Sequence, residues 1–434
     1  MGVIHSFLFS LLVVLLPTQL GYHFWPEWSH VLGRRIDYLS PTVYLTDILI
    51  LLTLGSWAWA VRKSIMYRVW RIESFRKKTH RIQYTVYAIL FFIIINIATS
   101  LSPIHSLYQW IKVLEYSLLA VYIIKTKPSK SHVVMLLSVA LFYSSLIAII
   151  QFYLQRSIGG PLWLLGERTF SASTPGIAQF PIVWEIGSWT LDLGLRLRSY
   201  GTFPHPNVLG GFIAITIPLL IGALKYTHLS WRSTHFFHIN IAISVVALLL
   251  TFSRGAWIVG TIGIIISLLQ SPSNEPRMKY NPIWKYGGAI VSSILLYGLF
   301  AVVHSGGESV VVRIALNESA ISMWERYPWF GVGLGNFITA LPSFLSSHFI
   351  YFLQPVHNIY LLLLSELGVV GIVLLCVGSY RLMPLIRSVS PHSARTMFLY
   401  ALLAIGVLGL VDHYPLTVQQ GQLLLTVLLA LNVL

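Results

Sequence analysis

The sequence predicts an all-α polytopic membrane protein of about 12 transmembrane helices with two long external loops, and three observations predict it. Hydrophobic residues make up 56% of the 434 and charged ones only 10%, whereas soluble domains carry about a quarter charged residues. Mean hydropathy is +0.74, which excludes an ordinary soluble core. Apolar runs recur along the chain, each near the roughly 20 residues that cross a bilayer as helix. Finally, Lys and Arg are distributed unevenly between alternate connections.

The runs lie at about 4–20, 42–61, 83–101, 106–124, 132–154, 207–224, 236–252, 255–270, 284–303, 357–379, 396–411 and 418–434. The first has no Lys or Arg before it and ends in Pro17-Thr18-Gln19-Leu20, an indifferent cleavage site, so it reads as a retained span. With the N-terminus inside, internal loops hold most of the cations, among them Arg62 to Arg81, Lys125, Lys127, Lys130 and Lys225. External loops hold Arg34, Arg35, Arg156, Arg168, Arg196, Arg198, Arg254, Arg313 and Arg326 and no Lys. This asymmetry fixes orientation. The net charge of +15 therefore marks topology and membrane lipid rather than nucleic acid. Cys376, the single cysteine, can form no intramolecular disulfide or thiolate zinc site.

One membrane domain spans 1–434, and most connections in it are short. Two external segments are long enough to build something. The first, 155–206, ends in Arg198-Ser199-Tyr200-Gly201-Thr202-Phe203-Pro204-His205-Pro206-Asn207. In the second, 304–356, Val312, Leu316, Ala320, Met323 and Tyr327 recur at helical spacing up to Pro328, predicting an amphipathic helix along the outer interface. Gly331, Gly333 and Gly335 follow in a turn-rich stretch. They succeed no strand and face outward, so they are no dinucleotide fingerprint.

Candidate chemistry gathers at the outer boundary. Arg254 sits in a tight hairpin between two apolar spans, where an ionised side chain is partnered, functional or a snorkelling anchor. Arg313 is expected at the start of the amphipathic helix, unfavourable to the helix dipole without a nearby anion. Arg198 precedes the loop into the next span. Several guanidinium forks at one place suit a diphosphate, which they bind bidentately. His357 opens a span and is a candidate general base on a hydroxyl, with Asn358 beside it assigned to substrate binding. His205, between two prolines, is either a second base or, in the preferred reading, a loop-fixing residue. Glu366, inside a span, reads as a partner for a neighbouring helix, and Lys112 and Glu115 as neutralising each other. The external loops carry no closely spaced carboxylate pair, which argues against metal-dependent transfer. No metal or other cofactor is expected.

Four blocks, RSYGTFPHPNVLGG from Arg198, TFSRGAW from Thr251, Arg313 to the PWFGVGLGNF ending at Phe337, and HNIYLLLLSELGVVG from His357, make the chain resemble the O-antigen ligase and O-antigen polymerase superfamily of bacterial membrane glycosyltransferases. The resemblance covers about 195–415. It implies a GT-C-like bundle in the inner membrane and an undecaprenyl-diphosphate-linked glycan donor. It also implies a glycan, lipid or protein acceptor, no metal, and inversion at the anomeric centre. In this family the arginines matching Arg254 and Arg313 engage the diphosphate and the histidine matching His357 acts in catalysis. Arg198 matches less securely. Asp412-His413-Tyr414, external after the eleventh run, is placed to touch acceptor. The motifs do not choose among ligase, polymerase and protein O-oligosaccharyltransferase. A lipid-linked sugar flippase or transporter is the alternative class.

Overall fold

A backbone that leaves water must satisfy its own hydrogen bonds, and helices do so within one segment. The computed structural model describes residues 2–69, 80–186, 189–226, 230–269, 308–345, 353–386 and 392–433. Its helices are α1 (Gly2–Val14), α2 (Leu45–Val69), α3 (His80–Ala98), α4 (Pro103–Thr126), α5 (Lys130–Leu154), α6 (Pro206–Tyr226), α7 (Trp231–Leu250), α8 (Arg254–Leu269), α9 (Glu308–Arg326), α10 (Ile359–Ile386), α11 (His392–Leu408) and α12 (Gln419–Val433).

Six helices, α2, α4, α5, α6, α7 and α10, are long and apolar enough to cross a membrane. Shorter apolar stretches occupy α1, α3, α8 and α11. The expectation of about 12 spans is thus met only in part. The run at 284–303 lies outside the described residues, and α12 carries buried Gln419, Gln420, Thr426 and Asn432, which dilute its apolarity. The all-α expectation also needs correction. Strands β1 (Gly21–His23), β2 (His30–Val31), β3 (Arg34–Arg35) and β4 (Thr42–Tyr44) pair antiparallel as β1–β4 and β2–β3 in the loop after α1. Strands β5 (Gln179–Ile186) and β6 (Trp189–Leu197) form a hairpin in the first long loop. Loop backbone outside helices pairs with itself rather than remain unsatisfied.

The core centres on α6, whose apolar window is 89% buried against 56% or less for the other five long spans. Small residues let its neighbours approach: a side chain at Gly210 would meet the Cβ of Ala256 in α8 at 2.9 Å and Thr251 Oγ1 in the α7–α8 turn at 3.1 Å. A second cluster joins Val312, Leu316, Ala320 and Met323 of α9 to Val31, Ile36 and Leu39 of the N-terminal loop. The amphipathic helix therefore exists, and the face of Val312, Leu316, Ala320 and Met323 is covered by protein, while Val310, Val311, Ile314 and Ile321 stay exposed. It begins at Glu308, so Arg313 stands in its second turn and not at its start.

The glycine segment interlocks with α10, which breaks at Gly368 (φ 62, ψ −172). Val369 and Val370 donate to the carbonyls of Pro328 and Trp329 at 2.8 and 3.2 Å. In return Val332 and Gly333 donate to Ser365 and Glu366 at 2.9 and 3.1 Å. Gly331 and Gly333 hold φ of 68° and 98°, and a Cβ at either would collide with Glu366 or Ser100 respectively. The carboxylate of Glu366 accepts from the backbone N–H of Phe337 at 3.2 Å, the first residue of the short helix Phe337–Ala340.

Candidate active site

The turn after α11 is the hub of one end of the bundle. Ile359 N–H donates to Gly409 at 2.8 Å, which pins the start of α10 against it. Asn358 Oδ1 caps α10 by accepting from Tyr360 and Leu361 at 2.9 and 3.1 Å, and so steadies the backbone on which His357 stands. The His357 ring lies edge-on to His413, centroids 5.0 Å apart. Its Nδ1 is buried with no protein partner.

Behind the histidines runs a polar relay. Arg198 donates through Nε to the carbonyl of Thr251 and through Nη2 to Asn207 Oδ1, both at 2.7 Å. Asn207 Nδ2 in turn donates to Asp412 Oδ2 at 2.8 Å. The other Asp412 oxygen accepts from the His413 backbone at 2.8 Å. His413 Nδ1 meets Thr417 Oγ1 at 2.6 Å. Arg313 reaches the same hub, donating to the carbonyl of Val411 at 3.2 Å. Arg254 is the exposed first residue of α8, immediately after the α7–α8 turn whose Thr251 anchors Arg198.

Electrostatics tie these groups together. Burial pushes the Arg198 guanidinium down to about 10, with Arg254 and Arg313 close enough to add repulsion and Tyr200 and Asp412 opposing. The His357 pKa lies below its usual value, chiefly through burial and also through Arg313, against the pull of Asp412. His413 is lowered to about 4, burial leading. His205 Nδ1 accepts from the Asn207 backbone at 3.1 Å, which places its proton on Nε2. Burial raises the Asp412 carboxyl, but the surrounding histidines and the Asn207 amide outweigh it, and the net shift is downward. At neutral pH the centre is thus a carboxylate beside neutral imidazoles, with guanidinium groups within electrostatic reach.

His357, Asp412 and His413 also present donor atoms all within 4.8 Å of one another, a group that can supply three ligands to a cation. The neighbouring arginines oppose a cation there and favour an anion.

The structure therefore brings Arg198, Arg254, Arg313, His205 and His357 to one end of the bundle. It gives Arg198 and Asn358 hydrogen bonds within the protein. Lys112 does meet Glu115 at 3.0 Å, yet its nearer partner is Asp47 at 2.6 Å. Sequence reasoning missed Asp47, the bridging role of Asn207, and the entire N-terminal loop, which carries no motif.

Residues 239–376 match the family model for O-antigen ligase. The chain carries an O-antigen ligase domain. No curated protein matches the chain. The O-antigen ligase domain begins in α7 and ends in α10, so it contains Arg254, Arg313, His357 and Asn358. A match to this domain points to a ligase-like membrane glycosyltransferase. Arg198, His205 and Asn207 precede the matched segment and Asp412 and His413 follow it; His413 and Asp412 lie against His357, and Asn207 joins Arg198 to Asp412.

Proposed function

We propose that this protein transfers a glycan from an undecaprenyl-diphosphate carrier to an acceptor hydroxyl at the external face of a bacterial cytoplasmic membrane, with inversion and without a metal. One observation supports the reading: His357 has its donor atoms within 4.8 Å of those of Asp412 and His413, Arg313 acts on the same imidazole, and Arg254 and Arg313 both act on the Arg198 that is tied to Asp412 through Asn207. Orientation follows from charge. Lys127 and Lys130 stand at the turn between α4 and α5, and Lys225 at the end of α6, away from the site. Cation-rich ends of this kind face the cytoplasm.

In the reaction the acceptor oxygen bonds to the anomeric carbon while its proton passes to His357. The bond from that carbon to the diphosphate oxygen breaks, and the electron pair leaves with the lipid diphosphate. Arg254 and Arg313 stabilise the charge that develops on the leaving group, where each charge-assisted hydrogen bond contributes roughly 1.5–3 kcal/mol. Asp412 stabilises the imidazolium, and Arg198 holds Asp412 in place through Asn207.

The test is transfer by the purified chain from an undecaprenyl-diphosphate-linked glycan in EDTA. Arg254→Ala and His357→Ala are each expected to lose turnover while inserting normally. Robust transfer by both variants rejects the site, and dependence on an added divalent cation rejects the metal-free mechanism. Lipid-linked glycan carried across the bilayer without transfer would establish the transporter class instead.

A further inference from the structure

The break in α10 at Gly368 isolates a half-helix, residues 359–367, just before which His357 stands. A helix that short does not hold its form alone, so both of its ends need partners from elsewhere. We propose that Asn96 of α3 is a positioning residue for His357, the clamp that fixes the far end of this half-helix. The inference rests on the transferase reading above and adds to it a residue from outside the matched segment.

A broken helix exposes polar backbone. In an unbroken α10 the Ser365 and Glu366 carbonyls would accept from the N–H groups of Val369 and Val370, four residues ahead; here those groups turn to Pro328 and Trp329. At the depth of a membrane the abandoned carbonyls must find other donors. Val332 and Gly333 supply one each, and Asn96 Nδ2 supplies a further one to Glu366 at 3.1 Å. The same nitrogen donates to the Phe330 carbonyl at 2.9 Å, so one side chain grips the half-helix and the loop after α9 together.

Nothing in the Asn96 amide is idle. Its Oδ1 accepts from Trp110 Nε1 of α4 at 3.0 Å and from the Leu334 N–H at 3.1 Å, which with the two donated bonds fills its capacity. The residue is fully buried and lies in the apolar stretch Tyr84–Ala98, where an amide is costly unless satisfied. The loop it grips is itself anchored. Ser102 N–H donates to Asn336 Oδ1 at 2.9 Å, Asn336 Nδ2 to Ser106 Oγ at 2.7 Å, and Ser106 Oγ to the Leu334 carbonyl at 2.9 Å.

The near end of the half-helix is pinned by the Asn358 cap, by Gly409 and by Tyr360 Oη, which donates to the Gly406 carbonyl at 3.0 Å. Held at both ends, it neither tilts nor twists. Held at one, it can turn, and a twist of about 10° moves a group at the rim of a helix of about 5–6 Å radius by about 1 Å. Misplacing a reacting group that far costs on the order of 100-fold. Arg313 keeps its place, because its helix packs on the N-terminal loop and it reaches the Val411 carbonyl, so the grip on diphosphate survives.

The test compares Asn96→Leu, Trp110→Phe and Asn432→Leu in the full chain in detergent. Asn432 is a buried amide of α12 that donates to Phe398 and Leu428 at 3.1 and 2.9 Å, so its loss costs buried hydrogen bonds without touching the clamp. Asn96→Leu is expected to lower kcat about 100-fold with donor KM within about threefold of the parent. Trp110→Phe removes one bond of the four and should lower kcat about tenfold. Asn432→Leu should melt lower yet keep kcat within about twofold. Hydrogen–deuterium exchange across residues 357–367 should quicken in the clamp variants and stay parental in Asn432→Leu. Parental kcat in whichever clamp variant folds, an equal loss in Asn432→Leu, or unchanged exchange across 357–367 overturns the proposal. A parent chain that never turns over lipid diphosphate sinks the transferase reading, and the exchange measurement then judges the clamp by itself.

Discussion

Asp412→Asn removes the carboxylate beside His357 while keeping size and shape. The donor atoms of the two residues lie no more than 4.8 Å apart. For unit charges at that separation and an effective dielectric of about 20, the attraction is about 3.5 kcal/mol. If the proton is half transferred in the transition state, about 1.7 kcal/mol of that is felt there, a roughly 20-fold fall in kcat. The donor KM changes little, because the arginines that grip diphosphate are untouched. The pH profile supplies a second, independent sign. Asp412 pulls the His357 pKa upward against burial and Arg313, so its removal drops that pKa further. The base form then survives to lower pH, and the acid limb of kcat/KM moves toward lower pH even as the plateau falls. One amide hydrogen pair of the new side chain faces either the Asn207 amide or the His413 N–H, so thermal melting and gel filtration must accompany the kinetics. A folded variant with kcat within twofold of the parent and an unmoved acid limb would refute the assignment of Asp412 as the partner of the base.

Three further outcomes are expected. Arg254→Lys keeps the charge but loses the bidentate fork, so it should retain more turnover than Arg254→Ala yet stay roughly tenfold or more below the parent, read in the same transfer assay. Stability should fall with acidification between about pH 6.5 and 4: His413 in the unfolded chain takes up a proton near its usual value, whereas folded it resists to about 4. The unfolded state then binds more protons, and up to about 3 kcal/mol is lost by pH 4 from this residue, measurable as a falling melting temperature that His413→Gln flattens. Gly331→Ala must adopt φ near 68° and drive its Cβ into the Glu366 backbone, so a loss of at least about 2 kcal/mol is expected by melting, against almost none for Gly378→Ala, which has open space.

Apolar periodicity and turn chemistry made the helices legible, and the four sequence blocks made Arg254, Arg313 and His357 legible as a set. What misled was local. Hydropathy windows run on through turn residues, so the run at 4–20 overstates α1, which stops at Val14 with 13 residues. The amphipathic stripe of α9 named its buried face but not what covers it, because Val31, Ile36 and Leu39 lie some 280 residues away and show no period of their own. Arg198 looked like a ligand for phosphate, and two of its N–H groups serve Thr251 and Asn207. Only a contact map reveals that. The Lys112–Asp47–Gln419 floor is equally hidden, since single polar residues in three separate apolar helices announce a cost in lipid but not a partner.

In the proposed reaction the base lies in the matched segment, while other residues that share a cavity with His357 come from distant parts of the chain. Arg254, Arg313 and His357 fall within residues 239–376, whereas Gln19, Tyr38 and Gln109 fall far before them. Chemistry common to every donor of this class needs a fixed diphosphate grip and one base, both set by the rigid start of α8, by α9 and by the capped start of α10. Acceptor choice needs only side chains that can change without moving that geometry, and loop residues between α1 and α2 meet the condition because their backbone is secured by its own short hairpins. Acceptor preference and catalytic rate should therefore vary independently in this fold, and a Tyr38 variant whose kcat on its own acceptor fell as far as that of Asp412→Asn would contradict the division.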